Sequence, residues 1–284
     1  MYKSISSGTL KGGVGKTSII FQLASIVSLL KKDDAGNYYK VLIADADTQG
    51  NITNIIGYDR TLHPHAPTLA SIFYDSPPVP QEIIITAPNK DLPNIDLIPA
   101  SILMHKAEAD IGSRPARELI LKNYFEEHHD FFSKYDYIFF DTNPSMSLIN
   151  QNVYAFTDSI LLIGDYTENS LEGAQLFIAL WDNVRKALKI EDNIKGFLLN
   201  KIDVRQQITV RRGKKLLFQN EIYADLKDLL IKKGENTPIV IPSNAAIQNG
   251  EQNEHLPIAI YEPNSKGAEA IVNLTKELFH IGLL

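Results

Sequence analysis

Short apolar runs recur along the chain at Val41-Leu42-Ile43-Ala44, Tyr137-Ile138-Phe139-Phe140 and Ile160-Leu161-Leu162-Ile163. An unbroken run of this length, bounded by polar residues, is the signature of a strand buried on both faces in a parallel sheet. Phe197-Leu198-Leu199 and Ile239-Val240-Ile241 are shorter versions. Ser4 to Gly8 is placed as the first strand by its position, and Ile83-Ile84-Ile85 and Ile95-Asp96-Leu97-Ile98 read as a short pair at a sheet edge. Between these runs the apolar spacing becomes helical. Ile19, Ile20, Leu23, Ala24, Ile26 and Val27 form one such face, and Leu119, Ile120, Tyr124 and Phe125 another within 114–129. Further helices are predicted over 171–188 and 268–279, the first with Phe177 and Trp181 as packing residues. Residues 58–80, rich in Pro and His, read as irregular, with a short helix near 69–73. Strands alternating with helices imply βαβ units. The expected fold is a single α/β domain over 1–284, with a mainly parallel twisted sheet of about seven to eight strands and helices on both faces.

The chemistry starts where the first strand ends. Lys11-Gly12-Gly13-Val14-Gly15-Lys16-Thr17-Ser18 carries three glycines, two lysines and a threonine ahead of a helical pattern. Glycines let the backbone turn tightly and aim bare N–H groups into one concavity. The helix beginning near Lys16 adds free N–H groups and a positive dipole end, so the segment is shaped for phosphates. Lys16 can reach the outer phosphates and the Thr17 hydroxyl can ligate magnesium. The usual phosphate-loop pattern wants glycine at position 10, where Leu10 stands, so the match is to a variant loop with Lys11 as an additional cation. It makes the predicted domain a P-loop domain.

Aspartates close two of the apolar strands: Asp45 and Asp47 after 41–44, and Asp141 after 137–140. Ligand groups of open parallel sheets gather at the carboxyl ends of strands. Four apolar residues followed by Asp141 resemble the element whose aspartate holds magnesium in nucleotide triphosphatases. One carboxylate near the metal and one near the γ-phosphate would suit hydrolysis.

Composition narrows the rest. The sequence has 284 residues, 44% hydrophobic and 22% charged, within the ordinary range of a globular protein. The absence of cysteine excludes disulfides, thiol catalysis and cysteine-ligated clusters or zinc. The seven histidines have no metal-like spacing. No apolar run approaches the roughly 18 residues of a spanning helix, and the N-terminus shows no charged-then-apolar leader, so a cytoplasmic protein is expected. A net charge of −6 argues against overall coating by nucleic acid but permits a local basic patch. One such patch is Lys201, Arg205, Arg211, Arg212, Lys214 and Lys215, broken only by Asp203. It could contact DNA phosphates without reading sequence, or simply be a solvated face.

Taken together, the loop KGGVGKT, VLIADADTQGN at 41–51, DLIPASI at 96–102, YDYIFFDTNPS at 135–145, IPSNAAI at 241–247 and SKGAEA at 265–270 resemble ParA/Soj-type partition ATPases, in the family's own order. These belong to the deviant-Walker group that also holds MinD and the nitrogenase iron protein. The chain's size and its Tyr- and Lys-rich insertions resemble the delta type of Gram-positive plasmids. The resemblance implies ATP and Mg2+ as cofactors and a homodimer that sandwiches two nucleotides. It makes Lys11 the lysine that reaches the partner's phosphates, Asp47 the residue positioning the attacking water, and Asp45 and Asp141 carboxylates near the magnesium. It places Asn200, Ile241 and Pro242 around adenine. An Asn-Lys-x-Asp string at 200–203 also imitates a guanine-recognition motif, but the remainder of the chain is ParA-like.

The same resemblance implies nonspecific binding of double-stranded DNA in the ATP state, association with the nucleoid, and release when a centromere-binding, ParB-like partner stimulates hydrolysis. It raises the basic stretch to a candidate DNA contact. Two departures stand out: Asn143 precedes Pro144 where relatives have two prolines, and Thr48 follows Asp47 where relatives often have proline. The alternative is a MinD-like membrane-cycling regulator. Such proteins end in a basic amphipathic helix, whereas no lysine or arginine follows Lys276 here. An iron–sulfur reductase is excluded by the lack of cysteine.

Overall fold

The computed structural model describes residues 2–202, 224–233 and 237–284. Their strands are β1 (Lys3–Gly8), β2 (Val41–Ala46), β3 (Ile85–Thr86), β4 (Ile95–Ile98), β5 (Tyr137–Thr142), β6 (Ser159–Gly164), β7 (Ile194–Ile202), β8 (Lys232–Lys233), β9 (Thr237–Pro238) and β10 (Val240–Pro242). The fold is α/β with an eight-stranded, mainly parallel sheet, and β8 pairs with β9 in a separate antiparallel ribbon. The residues cluster into two compact units that interleave along the chain. One comprises Met1–Ser6, Ile20–Asn143 and Ser147–Asp158; the other comprises Ser7–Ile19, Pro144–Met146 and Ser159–Leu284.

In the first unit β5 lies between β1 and β2, parallel to both, and β4 pairs parallel with the far side of β2. Every residue of β2, β4 and β5 is buried. That burial is why these strands read as continuous apolar runs rather than as alternation. The edge strand differs from its sequence reading. Only Ile85–Thr86 pairs, antiparallel, with β4, while Pro80–Ile83 forms a helical turn. Proline at the first helical position is pre-set for a helix. Glu82 Oε2 also accepts from the Val79 N–H at 3.2 Å, so local capping wins over strand propensity. The helix expected over 114–129 is shortened to Ile120–Glu127. Pro115 and the left-handed Ala116 (φ 51°) delay its start, and the buried face is Leu121, Tyr124 and Phe125, with Leu119 and Ile120 half-buried. Phe125 stacks on Phe132 at 4.0 Å and sits 4.5 Å from Phe156. The helix Leu148–Phe156, not foreseen, is capped by Ser147, whose Oγ accepts from the Asn150 N–H at 3.3 Å. The short helix near 69–73 is present as a 3-10 turn, Leu69–Phe73.

In the second unit β7 lies between β6 and β10, parallel to both. The helix Glu168–Leu188 buries Leu171, Ala174, Phe177 and Trp181. The Trp181 indole N–H donates to Asn193 Oδ1 at 2.8 Å, so the largest buried side chain keeps its polar atom satisfied. Gly8 is set by close packing: a Cβ there would lie 2.8 Å from Phe177 and 2.9 Å from Ile160. The final helix, Lys266–His280, starts on Ser265, whose Oγ accepts from Ala268 N–H. It buries Ile271, Leu274 and Leu278, and Leu283 and Leu284 beyond it are buried too. Among the described residues, no helix is long and apolar enough to cross a membrane.

Candidate nucleotide site

The glycine loop lies in the second unit. Gly13 (φ 78°) and Gly15 (φ 89°) both occupy the left-handed region that residues with a Cβ avoid. At Gly15 there is no room for one either, since a Cβ would sit 2.4 Å from Asn200 Nδ2. The helix Lys16–Ser28 begins at once, with Ile19 N–H donating to the Gly15 carbonyl at 3.0 Å. Its first N–H groups therefore have no earlier helical carbonyl to meet and are directed out of its N-terminus. Gly12 and Gly13 are exposed, Val14 is fully buried and anchors the loop, Lys16 is buried, and Thr17 and Ser18 are half-buried. The cradle fits a phosphate on backbone grounds alone: left-handed glycines, an open face and a helix N-terminus.

Several neighbours in this unit hold the loop. Asn200 Nδ2 donates to the Val14 carbonyl at 2.8 Å, and Lys201 Nζ donates to the Gly13 carbonyl at 2.7 Å. The Ser18 hydroxyl donates to Glu251 Oε1 at 2.5 Å. Glu251 is buried within a π-helical turn, Gly250–Glu254. Ile241 is fully buried and Pro242 half-buried on β10.

Lys11 takes a position that sequence reasoning did not anticipate. Its ammonium donates to both carboxylate oxygens of Asp165, at 2.9 and 2.8 Å, and to Thr167 Oγ1 at 2.8 Å. Thr167 in turn donates to Asp165 Oδ1 at 2.6 Å, and the Asp165 N–H donates to Ser170 Oγ. Partial burial pushes the Asp165 carboxyl upward, but the hydrogen bonds from Lys11 and Thr167 outweigh it and leave the carboxyl below its ordinary range. Asp165 was legible in principle. It closes the apolar run 160–163 as Asp141 closes 137–140, with Gly164 intervening.

The acidic residues lie in the first unit. Asp45 and Asp141 are register partners on the adjacent parallel strands β2 and β5, and both are fully buried. Burial, followed by the negative charge of Asp141, pushes the Asp45 carboxyl up to about 8. Asp45 Oδ2 accepts from the Thr53 N–H (3.0 Å) and hydroxyl (2.7 Å), and Oδ1 accepts from the Asp47 N–H (3.1 Å). Asp47 lies one residue beyond the end of β2, in a turn closed by Gly50 N–H on its carbonyl at 2.9 Å. Its Oδ1 accepts from Gln49 N–H at 3.0 Å. The turn begins at Asp47, directly after β2, and Asp45 braces it through the Asp47 N–H. Two buried carboxylates side by side form a hard, anionic oxygen set, and a divalent cation relieves their mutual repulsion. Among the described residues, no cluster of three or more His, Asp or Glu could hold a metal. Of the basic stretch, Lys201 is described and rests on the loop; Arg205, Arg211, Arg212, Lys214 and Lys215 lie outside the described residues.

A family model described as an AAA domain matches residues 2–195, more than half of the chain. The sporulation initiation inhibitor protein Soj of Bacillus subtilis is 28% identical over 280 residues, covering 98% of this chain and 98% of Soj. A McdA variant from Cyanothece, solved in complex with ATP, superposes with a TM-score of 0.76 at 19% identity, covering 100% of this chain and 98% of that one. A plasmid partition protein from Borrelia burgdorferi, solved bound to AMPPNP, gives 0.69 at 21% identity, covering 100% and 99%. At these identities the two solved structures establish likeness of fold.

Two outcomes follow for this site. In Gly15→Ala, left-handed strain of about 1–2 kcal/mol adds to the displacement of Asn200. Titration calorimetry should then show MgADP binding weakened by about tenfold or more; unchanged affinity would mean that the loop does not need its present shape. In metal-free buffer the folded chain keeps a proton on the Asp45–Asp141 pair that the unfolded chain releases near pH 4. This contribution to stability is complete below the ordinary carboxylate range and is lost as pH rises through about 8. Between about pH 5 and 8 the thermal midpoint of Asp45→Asn should depend on pH less steeply than that of the wild type. Parallel slopes would contradict the raised carboxyl.

Proposed function

This chain belongs to the AAA-domain family, and from that membership we propose that it is a partition ATPase of the ParA/Soj type that couples ATP hydrolysis to DNA binding. The observation that carries the reading is the loop from Lys11 to Thr17. Its two left-handed glycines and the helix that opens directly behind them suit a nucleotide's phosphates. Full-length similarity to Soj supports the partition type. Strand β1 and the helix Lys16–Ser28 each contribute residues to both compact units, which supports treating 1–284 as one ATPase domain.

The chain's own residues divide the work. Loop amides and Lys16 bind the β- and γ-phosphates of ATP. As the family resemblance implies, Thr17 and Asp141 would hold magnesium; Asp45 is the register partner of Asp141. Magnesium, when bound, neutralises charge that builds on the phosphates. Asp47 orients the attacking water, held in place by the turn that Asp45 braces. Ile241 and Pro242 flank the adenine. Two chains enclose two nucleotides, and Lys11 leaves Asp165 to meet the partner's phosphates, where a cation stabilises charge only after closure. Arg205, Arg211, Arg212, Lys214 and Lys215 contact DNA phosphates nonspecifically, on the nucleoid within the cytoplasm, and a centromere-binding adaptor accelerates hydrolysis. The membrane-cycling alternative gains nothing from the last helix, whose apolar face is buried.

Retention on nonspecific DNA should require ATP, disappear with ADP, and weaken steeply as salt rises. Asp47→Ala should keep ATP-dependent retention while phosphate release, basal and DNA-stimulated, falls by about tenfold or more. Equal retention with ATP, ADP and no nucleotide would contradict the coupling, and undiminished phosphate release would remove Asp47 from the reaction.

A further inference from the structure

Two successive residues at the end of β7 reach the same loop. In an extended strand, neighbouring side chains point to opposite faces. Asn200 and Lys201 escape this because Lys201 adopts a left-handed backbone (φ 56°), a conformation that residues with a Cβ rarely take. The result is a pair of donors on adjacent carbonyls: Asn200 Nδ2 on Val14 at 2.8 Å and Lys201 Nζ on Gly13 at 2.7 Å. Asn200 is almost fully buried at 4% exposure, and its amide nitrogen occupies the space that a Cβ on Gly15 would need.

The physical consequence concerns which way the loop's peptide dipoles face. A phosphate cradle works only while N–H groups point inward and C=O groups point away, because an inward carbonyl repels the anion. The loop's left-handed glycines permit this arrangement but do not impose it, since glycine populates many conformations. Donors on the Gly13 and Val14 carbonyls impose it from outside. The geometry points to Asn200 and Lys201 as positioning residues for the phosphate loop: a two-point clamp that sets its affinity for polyphosphate independently of the base. This deepens the proposed ATPase reading and rests on it. It also reassigns both residues, Asn200 from adenine contact and Lys201 from the DNA-binding stretch.

The test separates phosphate from base. Asn200→Ala, Lys201→Met and Lys201→Arg are compared with the wild type in titrations with MgATP and with inorganic tripolyphosphate, which has no base. The clamp predicts that Asn200→Ala and Lys201→Met weaken both ligands by the same factor, about tenfold, the upper end of what one net hydrogen bond contributes. Lys201→Arg, which keeps a charged donor, should recover to within about threefold of the wild type. Hydrogen exchange of the nucleotide-free proteins gives a second readout. The Gly13, Val14 and Gly15 amides should exchange about tenfold faster in the two disabling variants, with β5 amides unchanged. Weakened ATP binding with unchanged tripolyphosphate binding would overturn the clamp in favour of a base contact. Unchanged loop exchange would overturn it as well, including the case in which Lys201 acts only through its charge. Should the wild type bind neither ligand, the ATPase reading fails, while accelerated or unaltered loop exchange still decides whether the clamp exists.

Discussion

A polypeptide loop that binds phosphate must hold several peptide dipoles in one orientation against their own tendency to scatter, and the rest of the proposed site depends on that constraint. The chain meets it in layers. Gly13 and Gly15 supply backbone conformations closed to other residues. The helix from Lys16 supplies further amides with no helical partner. Side chains from β7 and from the turn at Gly250–Glu254 then tie the segment down, through the Gly13 and Val14 carbonyls and through Ser18. Each layer is weak alone, since net hydrogen bonds contribute only about 1 kcal/mol. All of them act on one short loop.

Charge is managed by a similar logic of held and released groups. Lys11 is neutralised within its own chain by Asp165, with Thr167 bridging. The pair is partly exposed, so opening it costs only modest energy. The Asp45–Asp141 pair is the opposite case: burial, and after it the negative charge of Asp141, raises the Asp45 carboxyl, and a cation would relieve both.

Much of this was legible in the sequence, for reasons that can be named. Uninterrupted apolar runs such as 41–44 and 137–140 marked strands because both faces of them are buried. The glycine loop was readable because its chemistry is local, with spacing, conformation and cations inside one short segment. Pro80 and Glu82 carried a capping signal that the apolar run Ile83–Ile85 masked, so a helical turn was read as a strand. The tertiary partners were not legible. Nothing in local spacing tells that Asn200 and Lys201 meet residues 13 and 14, since the contact depends on a left-handed residue that no propensity demands of lysine. Asp165 was visible as another aspartate closing an apolar run, but its pairing with Lys11 spans 154 positions. The Asp45 contacts with Thr53 and with the Asp47 N–H were likewise not legible, since they depend on the turn that follows β2.

The central claim is that the amides of the glycine loop, oriented outward from a helix N-terminus, bind the phosphates of a nucleotide. Backbone amide chemical shifts of Gly12 to Thr17, followed during addition of MgADP, address it at the atoms concerned. The account predicts saturable shifts at Gly13, Gly15, Lys16 and Thr17 that exceed those at any amide of β4, with a matching response to tripolyphosphate. Loop amides that stay unshifted while nucleotide demonstrably binds would contradict it.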